Sequence, residues 1–250
     1  MVSVMAKTGY AQFCPVARAA ELLAERWMPV VVRELLAGSC HFGELRRGIP
    51  LISPATLSQR LHELQDAGIV ERTRSEDHSQ GVQYRLTDAG KKLRPIINAL
   101  GIWGQSWAQH ELRPAEIDPQ ALTWAMHRRF NLRELPMHHA VLELELPDVE
   151  IRLRRFWFLI DGGEVDVCLK NPGRDADLTL VTSIRTLLMV YLGRVAPDAA
   201  VRSGAVVLEG SRALARTFPG WCPRSPYAAA ARPATVQPFD EHQSAAARHP

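Results

Sequence analysis

Ser53, Ala55, Thr56, Ser58, Gln59, Arg60 and His62 fall in one short stretch and carry hydroxyls, an amide, a guanidinium and an imidazole. Groups of these types hydrogen-bond to base edges and phosphates. A Gln amide matches adenine, an Arg guanidinium matches guanine or phosphate, and Ser and Thr serve either. Leu57, Leu61 and Leu64 are interleaved at i, i+4 and i+7, which places them on one face of a helix and the polar groups on the other. Ser53 suits an N-cap, Pro54 suits the first helical position, and Gly68 suits the left-handed residue that ends a helix. Any amphipathic helix shares much of this pattern, so the flanking elements must decide its use.

Cys14 is the second reactive candidate. It precedes Pro15 at the expected start of a helix, where the positive end of the backbone dipole and Arg18, one turn on, would both favour the thiolate. The competing reading is a buried or capping cysteine with no redox role. Cys40 is a partner for it only if the two sulfurs approach. His41, His62 and the pair His138-His139 do not make a metal site, because adjacent strand residues point to opposite faces and no carboxylate or cysteine stands at ligand spacing. No G-x-S-x-G, H-E-x-x-H, phosphate-loop or dinucleotide motif occurs, so neither a cofactor nor catalytic residues are expected. Glu143, Glu145, Asp161, Glu164 and Asp166 alternate along strands and read as solvated rather than as a catalytic pair.

The elements that position these groups can be read in order. A helix is expected over 15–25, with Val16, Ala19, Ala20, Leu22 and Leu23 buried. A second begins at Pro29 with Val31, Val32, Leu35 and Leu36 inward. A third spans 42–47, carries Arg46 and Arg47, and is closed by Gly48 and Pro50. Helix, tight turn and capped second helix form a helix-turn-helix. Residues 69–74 and 82–86 then read as a hairpin. Such a wing would bring Arg72, Arg74, Arg85 and His78 to phosphates, with Glu71, Glu76 and Asp77 diluting the charge. Thr87 caps a long helix reaching about residue 112, which Pro95 should bend or delay. Leu93, Ile96, Ile97, Leu100, Trp103 and Trp107 give that helix more apolar surface than a small domain can cover, so a second subunit is expected over it.

With Cys14-Pro15-Val16, Glu25-Arg26-Trp27, Phe42-Gly43-Glu44-Leu45-Arg46-Arg47, Ile52-Ser53-Pro54-Ala55-Thr56-Leu57-Ser58-Gln59-Arg60-Leu61, Ala67-Gly68-Ile69-Val70-Glu71-Arg72, Tyr84-Arg85-Leu86-Thr87 and Leu100-Gly101-Ile102-Trp103-Gly104 in this order, residues 1–113 resemble the HxlR family of winged-helix bacterial regulators. The resemblance implies a homodimer built on the first and last helices that binds near-palindromic operators in double-stranded DNA. It places recognition positions at Ser53, Ala55, Thr56, Ser58, Gln59 and Arg60, and a wing from Arg72 to Tyr84. It also implies that Cys14 occupies the position where several members sense oxidants or electrophiles.

Residues 117–221 form a second unit of α+β class. Strands are expected at 141–146, 155–160, 164–169, 177–181 and 205–208. Asp161-Gly162-Gly163 makes a tight turn, and helices are expected at 120–130, 183–193, 197–202 and 211–218, on one side of the sheet. Asp177-Leu178-Thr179-Leu180, the run 186–194 and the run 202–214 resemble the sterol-carrier-protein family of lipid-binding domains. That resemblance implies an apolar tunnel for a small lipophilic effector, with Trp157, Leu159, Cys168, Leu188, Tyr191, Leu192, Phe218 and Trp221 as its expected lining. The competing reading makes each of these an ordinary core residue. Residues 222–250, rich in Ala, Pro, Arg and Ser, read as a disordered tail.

The 250 residues, 46% hydrophobic and 23% charged with a formal charge of +3, describe a soluble globular chain whose charge permits nucleic-acid binding without demanding it. No apolar run approaches the ~20 residues of a membrane span, and residues 1–7 lack a signal peptide's apolar segment. Four scattered cysteines favour reduced thiols, so a cytoplasmic protein with no membrane partner is expected. The combined expectation is a dimeric transcription regulator whose DNA affinity responds to a lipophilic effector or to Cys14 oxidation. The alternative is a lipid or small-molecule carrier that uses its winged helix for dimerisation or docking.

Overall fold

The computed structural model describes residues 9–74, 81–108 and 117–231. The chain divides into two compact units, Met1–Ala99 and Leu100–Pro250. The first opens with α1 (Pro15–Leu23), α2 (Met28–Leu36), α3 (Phe42–Gly48) and α4 (Pro54–Asp66). The strands β1 (Val70–Arg74) and β2 (Val82–Leu86) follow, then the single-turn α5 (Asp88–Lys91) and the start of α6 (Arg94–Trp107). Its core is the apolar side of α2, α3 and α4: Met28, Val31, Val32, Leu45, Leu57, Leu61 and Leu64 are each at most 1% exposed. Burying each leucine stabilises the unit by roughly 2 kcal/mol, which is what orients α4. Pro95 acts on the long helix by delaying its start: α5 closes after one turn and α6 begins beside the proline, where its missing N–H costs no bond.

α1 departs from expectation, since none of its residues is buried and Val16 is 75% exposed. Along α6, Ile97 enters the core, whereas Ile96, Leu100, Trp103 and Trp107 remain 45–66% exposed. These four sit at i, i+4, i+7 and i+11 and so form one exposed apolar stripe among the described residues.

In the second unit α7 (Pro119–His127) precedes a five-stranded sheet of β3 (His139–Glu145), β4 (Arg155–Asp161), β5 (Glu164–Cys168), β6 (Leu178–Thr182) and β7 (Val206–Gly210). Its order is β5-β4-β3-β6-β7. Only the β3–β6 pair is parallel, and the long connection it requires passes through the β4–β5 hairpin. That hairpin turns at Gly162 and Gly163, both at positive φ (58° and 102°), a conformation that other residues resist. α8 (Ile184–Tyr191), α9 (Pro197–Arg202) and α10 (Arg212–Trp221) complete the unit and pack, with α7, on the face carrying Leu142, Leu144, Phe156, Phe158 and Ile160. Both Ser183 and Asp148 cap α8. Asp148 accepts the Ile184 N–H at 3.0 Å, and burial holds its carboxyl above the usual range.

The expected tail is ordered in its first ten residues. Cys222 is 6% exposed, Ser225 is 8% exposed, and Ser225 N–H donates to the Tyr191 carbonyl at 2.7 Å. A composition of Ala, Pro and Ser gives few apolar anchors, but Cys222, Pro223 and Tyr227 suffice here. Residues 232–250 lie outside the described residues. Among the described residues, no helix is long and apolar enough to cross a membrane.

Candidate nucleic-acid interface

Ser53 caps α4 as its sequence demands. Its Oγ accepts the Thr56 N–H at 3.1 Å and lies 2.8 Å from the Thr56 hydroxyl. With Leu57, Leu61 and Leu64 buried, Ala55, Ser58, Gln59 and His62 stand exposed at i, i+3, i+4 and i+7, and Thr56 is half-buried beside them. The stripe therefore presents a methyl, a hydroxyl, an amide and an imidazole. Gln59 Nε2 donates to Glu63 at 3.2 Å and His62 Nδ1 lies 3.6 Å from Asp66, so both are pre-positioned by acids one turn further along.

Arg60 does not belong to this stripe. It is 9% exposed, and its guanidinium pairs with Glu25 at 3.2 Å and with Glu63, while Nε donates to the Arg26 carbonyl at 3.0 Å. The expectation that Arg60 reads a base is corrected: every face of its planar fork is engaged inside the unit. The turn it holds, residues 24–27, includes Trp27 in a left-handed conformation at φ 75°, with the Arg26 guanidinium 5.3 Å from the Trp27 ring. Glu63 at i+3 is the local signal that sequence reasoning passed over; Glu25 and the Arg26 carbonyl left none.

The end of α3 approaches α2 closely at Gly48. A Cβ on Gly48 would lie 2.1 Å from Glu34 Oε2. Glu34, 6% exposed, is held by Arg33 Nη2 at 2.8 Å and by the Ser39 hydroxyl at 3.3 Å, and Arg33 also donates to the Gly48 carbonyl at 3.2 Å. Arg46 and Arg47 project into solvent from the turn of α3 that precedes this contact. In the wing, β1 pairs with β2 antiparallel, and Arg72, Arg74 and Arg85 are exposed. Arg85 is steadied by Gln83 Oε1 at 2.8 Å. The hairpin is anchored to the helices by Tyr84 N–H, which donates to the Cys40 carbonyl at 2.7 Å. His78, with Glu76 and Asp77, lies outside the described residues.

Cys14 caps α1 and is half-exposed. The backbone N–H groups of Ala17 and Val16 hold its thiol below the usual range. Arg18, expected to assist, instead faces Glu21 at 3.3 Å and takes no part in the shift. Cys40 is the opposite case, since burial and the neighbouring Glu44 push its thiol up.

In the second unit, three of the eight expected lining residues, Tyr191, Phe218 and Trp221, face an apolar cavity between sheet and helices. Trp157, Leu159 and Cys168 do not. They occupy the alternate strand positions, so they lie on the sheet face away from Phe156, Phe158 and Ile160. Leu188 and Leu192 pack against the core without lining the cavity. The cavity measures only about 20 Å³, room for about one water. Trp221 forms part of its wall, stacked 6.0 Å from Phe130 and edge-on at 5.1 Å to Phe218, with Nε1 donating to the Leu214 carbonyl at 3.0 Å.

Residues 22–112 match the HxlR-like helix-turn-helix family and residues 131–221 the SCP-2 sterol transfer family. Over 97 residues the chain is 36% identical to the HTH-type transcriptional regulator YvaP of Bacillus subtilis (strain 168), an overlap of 38% of this chain and 90% of that one. The chain belongs to the HxlR family. A second relative, an HTH-type transcriptional regulator of Methanothermobacter thermautotrophicus, is 32% identical over 106 residues, covering 42% of this chain and 81% of its own. Among solved structures, the reduced form of the transcriptional regulator YodB from B. subtilis is 31% identical, with a TM-score of 0.35 over 39% of this chain and 97% of that one. The HxlR match ends at residue 112 and the SCP-2 match begins at residue 131, so a sterol-carrier-like unit follows the winged helix in this member of the HxlR family.

Proposed function

We propose that this chain is a homodimeric, operator-binding regulator in which residues 1–113 read DNA and residues 117–221 receive a lipophilic signal. The observation that carries the reading is the exposed stripe Ala55, Ser58, Gln59 and His62 on a capped helix whose leucines are fully buried. Such a helix is the right width for a major groove and carries donors and acceptors that distinguish base pairs. Arg46, Arg72, Arg74 and Arg85, exposed on α3 and the wing, supply phosphate contacts that fix register. The exposed stripe of Ile96, Leu100 and Trp103 supports a dimer, since such apolar surface on one helix marks an interaction site. Regulation then acts on the spacing of two readers, either through the second unit or through the activated Cys14 thiol, and a cytoplasmic location follows from that role.

Selection of bound duplexes from a random pool tests the reading. A near-palindromic consensus is expected, with log K falling by ~0.9 per phosphate contact against log salt. Equal affinity for selected and scrambled duplexes would refute it.

A further inference from the structure

Residues 222–231 touch two places that matter. At their inner end Cys222 and Pro223, next to Trp221 of α10, form one wall of the apolar cavity. At their outer end the Tyr227 ring lies on Gly101 of α6, so closely that a Cβ there would sit 2.3 Å from Cζ. The Ser106 hydroxyl of α6 donates to the Ala230 carbonyl at 3.1 Å. Beside them Gln105, 7% exposed, donates through Nε2 to the Leu192 carbonyl at the end of α8, at 2.9 Å. Gly101 and Gln105 lie on the side of α6 away from the Ile96–Leu100–Trp103–Trp107 stripe.

We propose that residues 222–231 are a strap: they close the cavity at one end and hold α6 at the other, so that an apolar molecule entering the cavity frees α6. The inference rests on reading the second unit as the one that receives a ligand. The physical argument is one of volume and of which wall yields. A cavity of about 20 Å³ must grow more than tenfold to reach the roughly 300 Å³ at which small-molecule sites begin. The sheet wall, Leu142, Leu144, Phe158 and Leu180, is fixed by ladder bonds on both sides. The strap, past Cys222, lies outside the sheet ladder and is tied back to α8 by the Ser225–Tyr191 backbone bond, and segments outside a sheet ladder open before it does. Moving Pro223 and Ser225 pulls on Tyr227, the residue that covers Gly101.

The test uses the full chain and cis-parinaric acid, a fluorescent fatty acid, as probe. Tyr227→Ala removes the ring, Gly101→Ala forces it off, and Ser106→Ala, the mildest change, removes only the bond to Ala230; none of the three lines the cavity. Uptake of the probe should quicken on the order of tenfold in the first two variants and less in the third. In the wild type, bound probe should raise hydrogen exchange at residues 102–107 by about the same factor, and Tyr227→Ala should show that rise before any probe is added. Uptake that leaves exchange in α6 unchanged would overturn the strap, as would variants whose residues 227–230 exchange freely while uptake is no faster, or absence of uptake in every form. DNA affinity measured on the same samples separates the two readings. A strap that responds without altering DNA binding stands while the regulatory reading fails. A probe that alters DNA binding without loosening α6 does the reverse.

Discussion

Arg60 Nε donates at 3.0 Å to the carbonyl of Arg26, tying the middle of α4 to the turn that starts α2. Glu25 and Glu63 flank the guanidinium, so the one arginine within the reading stretch is a brace. Arg60→Ala should therefore lower unfolding stability by about 2–3 kcal/mol, the scale of hydrogen bonds to a charged group. It should leave the selected consensus sequence unchanged. Urea melts and a repeat duplex selection check both halves; a changed base preference with normal stability would restore Arg60 as a reader.

Gln59 and Ser58 are the opposite case, because neither supports the core. Gln59→Ala should cost about 1–3 kcal/mol in discrimination at one base pair if the amide reads it. Thermal stability should move by less than about 0.5 kcal/mol, as for surface changes elsewhere. Competition binding against single-site operator variants measures the first, and a melt measures the second.

Gly48 has no room for a side chain, since Glu34 Oε2 would lie 2.1 Å from its Cβ. Gly48→Ala should destabilise by about 1–3 kcal/mol through overpacking. Adding Glu34→Ala should recover part of that loss, because the clash goes with the carboxylate. A double-mutant cycle reads the coupling; strict additivity of the two changes would refute the contact.

The thiols should separate by reactivity. With its pKa lowered by the first-turn N–H groups, Cys14 holds more thiolate at neutral pH than an ordinary cysteine, so its alkylation by iodoacetamide should half-saturate at lower pH. Cys40, raised by burial and Glu44, should lag. Cys222, pushed up to about 12 by burial, should react only on unfolding. Peptide mass spectrometry after alkylation at stepped pH gives the order, and a Cys14 slower than Cys40 would contradict it.

Much of this protein was decided by short-range chemistry. The cap at Ser53, the stop at Gly68, the leucine repeat of α4, the alternation in β3 and the turn at Gly162-Gly163 each follow from residues within a few positions of one another, where helix and strand periods act directly. Family resemblance then carried both halves. What the tertiary structure alone decided involves partners far apart in the chain. Arg60 belongs to the polar face by spacing, yet Glu25 and the Arg26 carbonyl draw it inward. Trp157 is a lining residue by the sterol-carrier resemblance, but the register of β4 turns it to the other side of the sheet. Residues 222–231 read as disordered because their composition offers little to bury. They are ordered because Tyr191 presents a carbonyl and Gly101 leaves a bare patch of helix at the right distance. Periodicity dictates which face a residue shares with its neighbours, whereas packing across the fold dictates what that face meets.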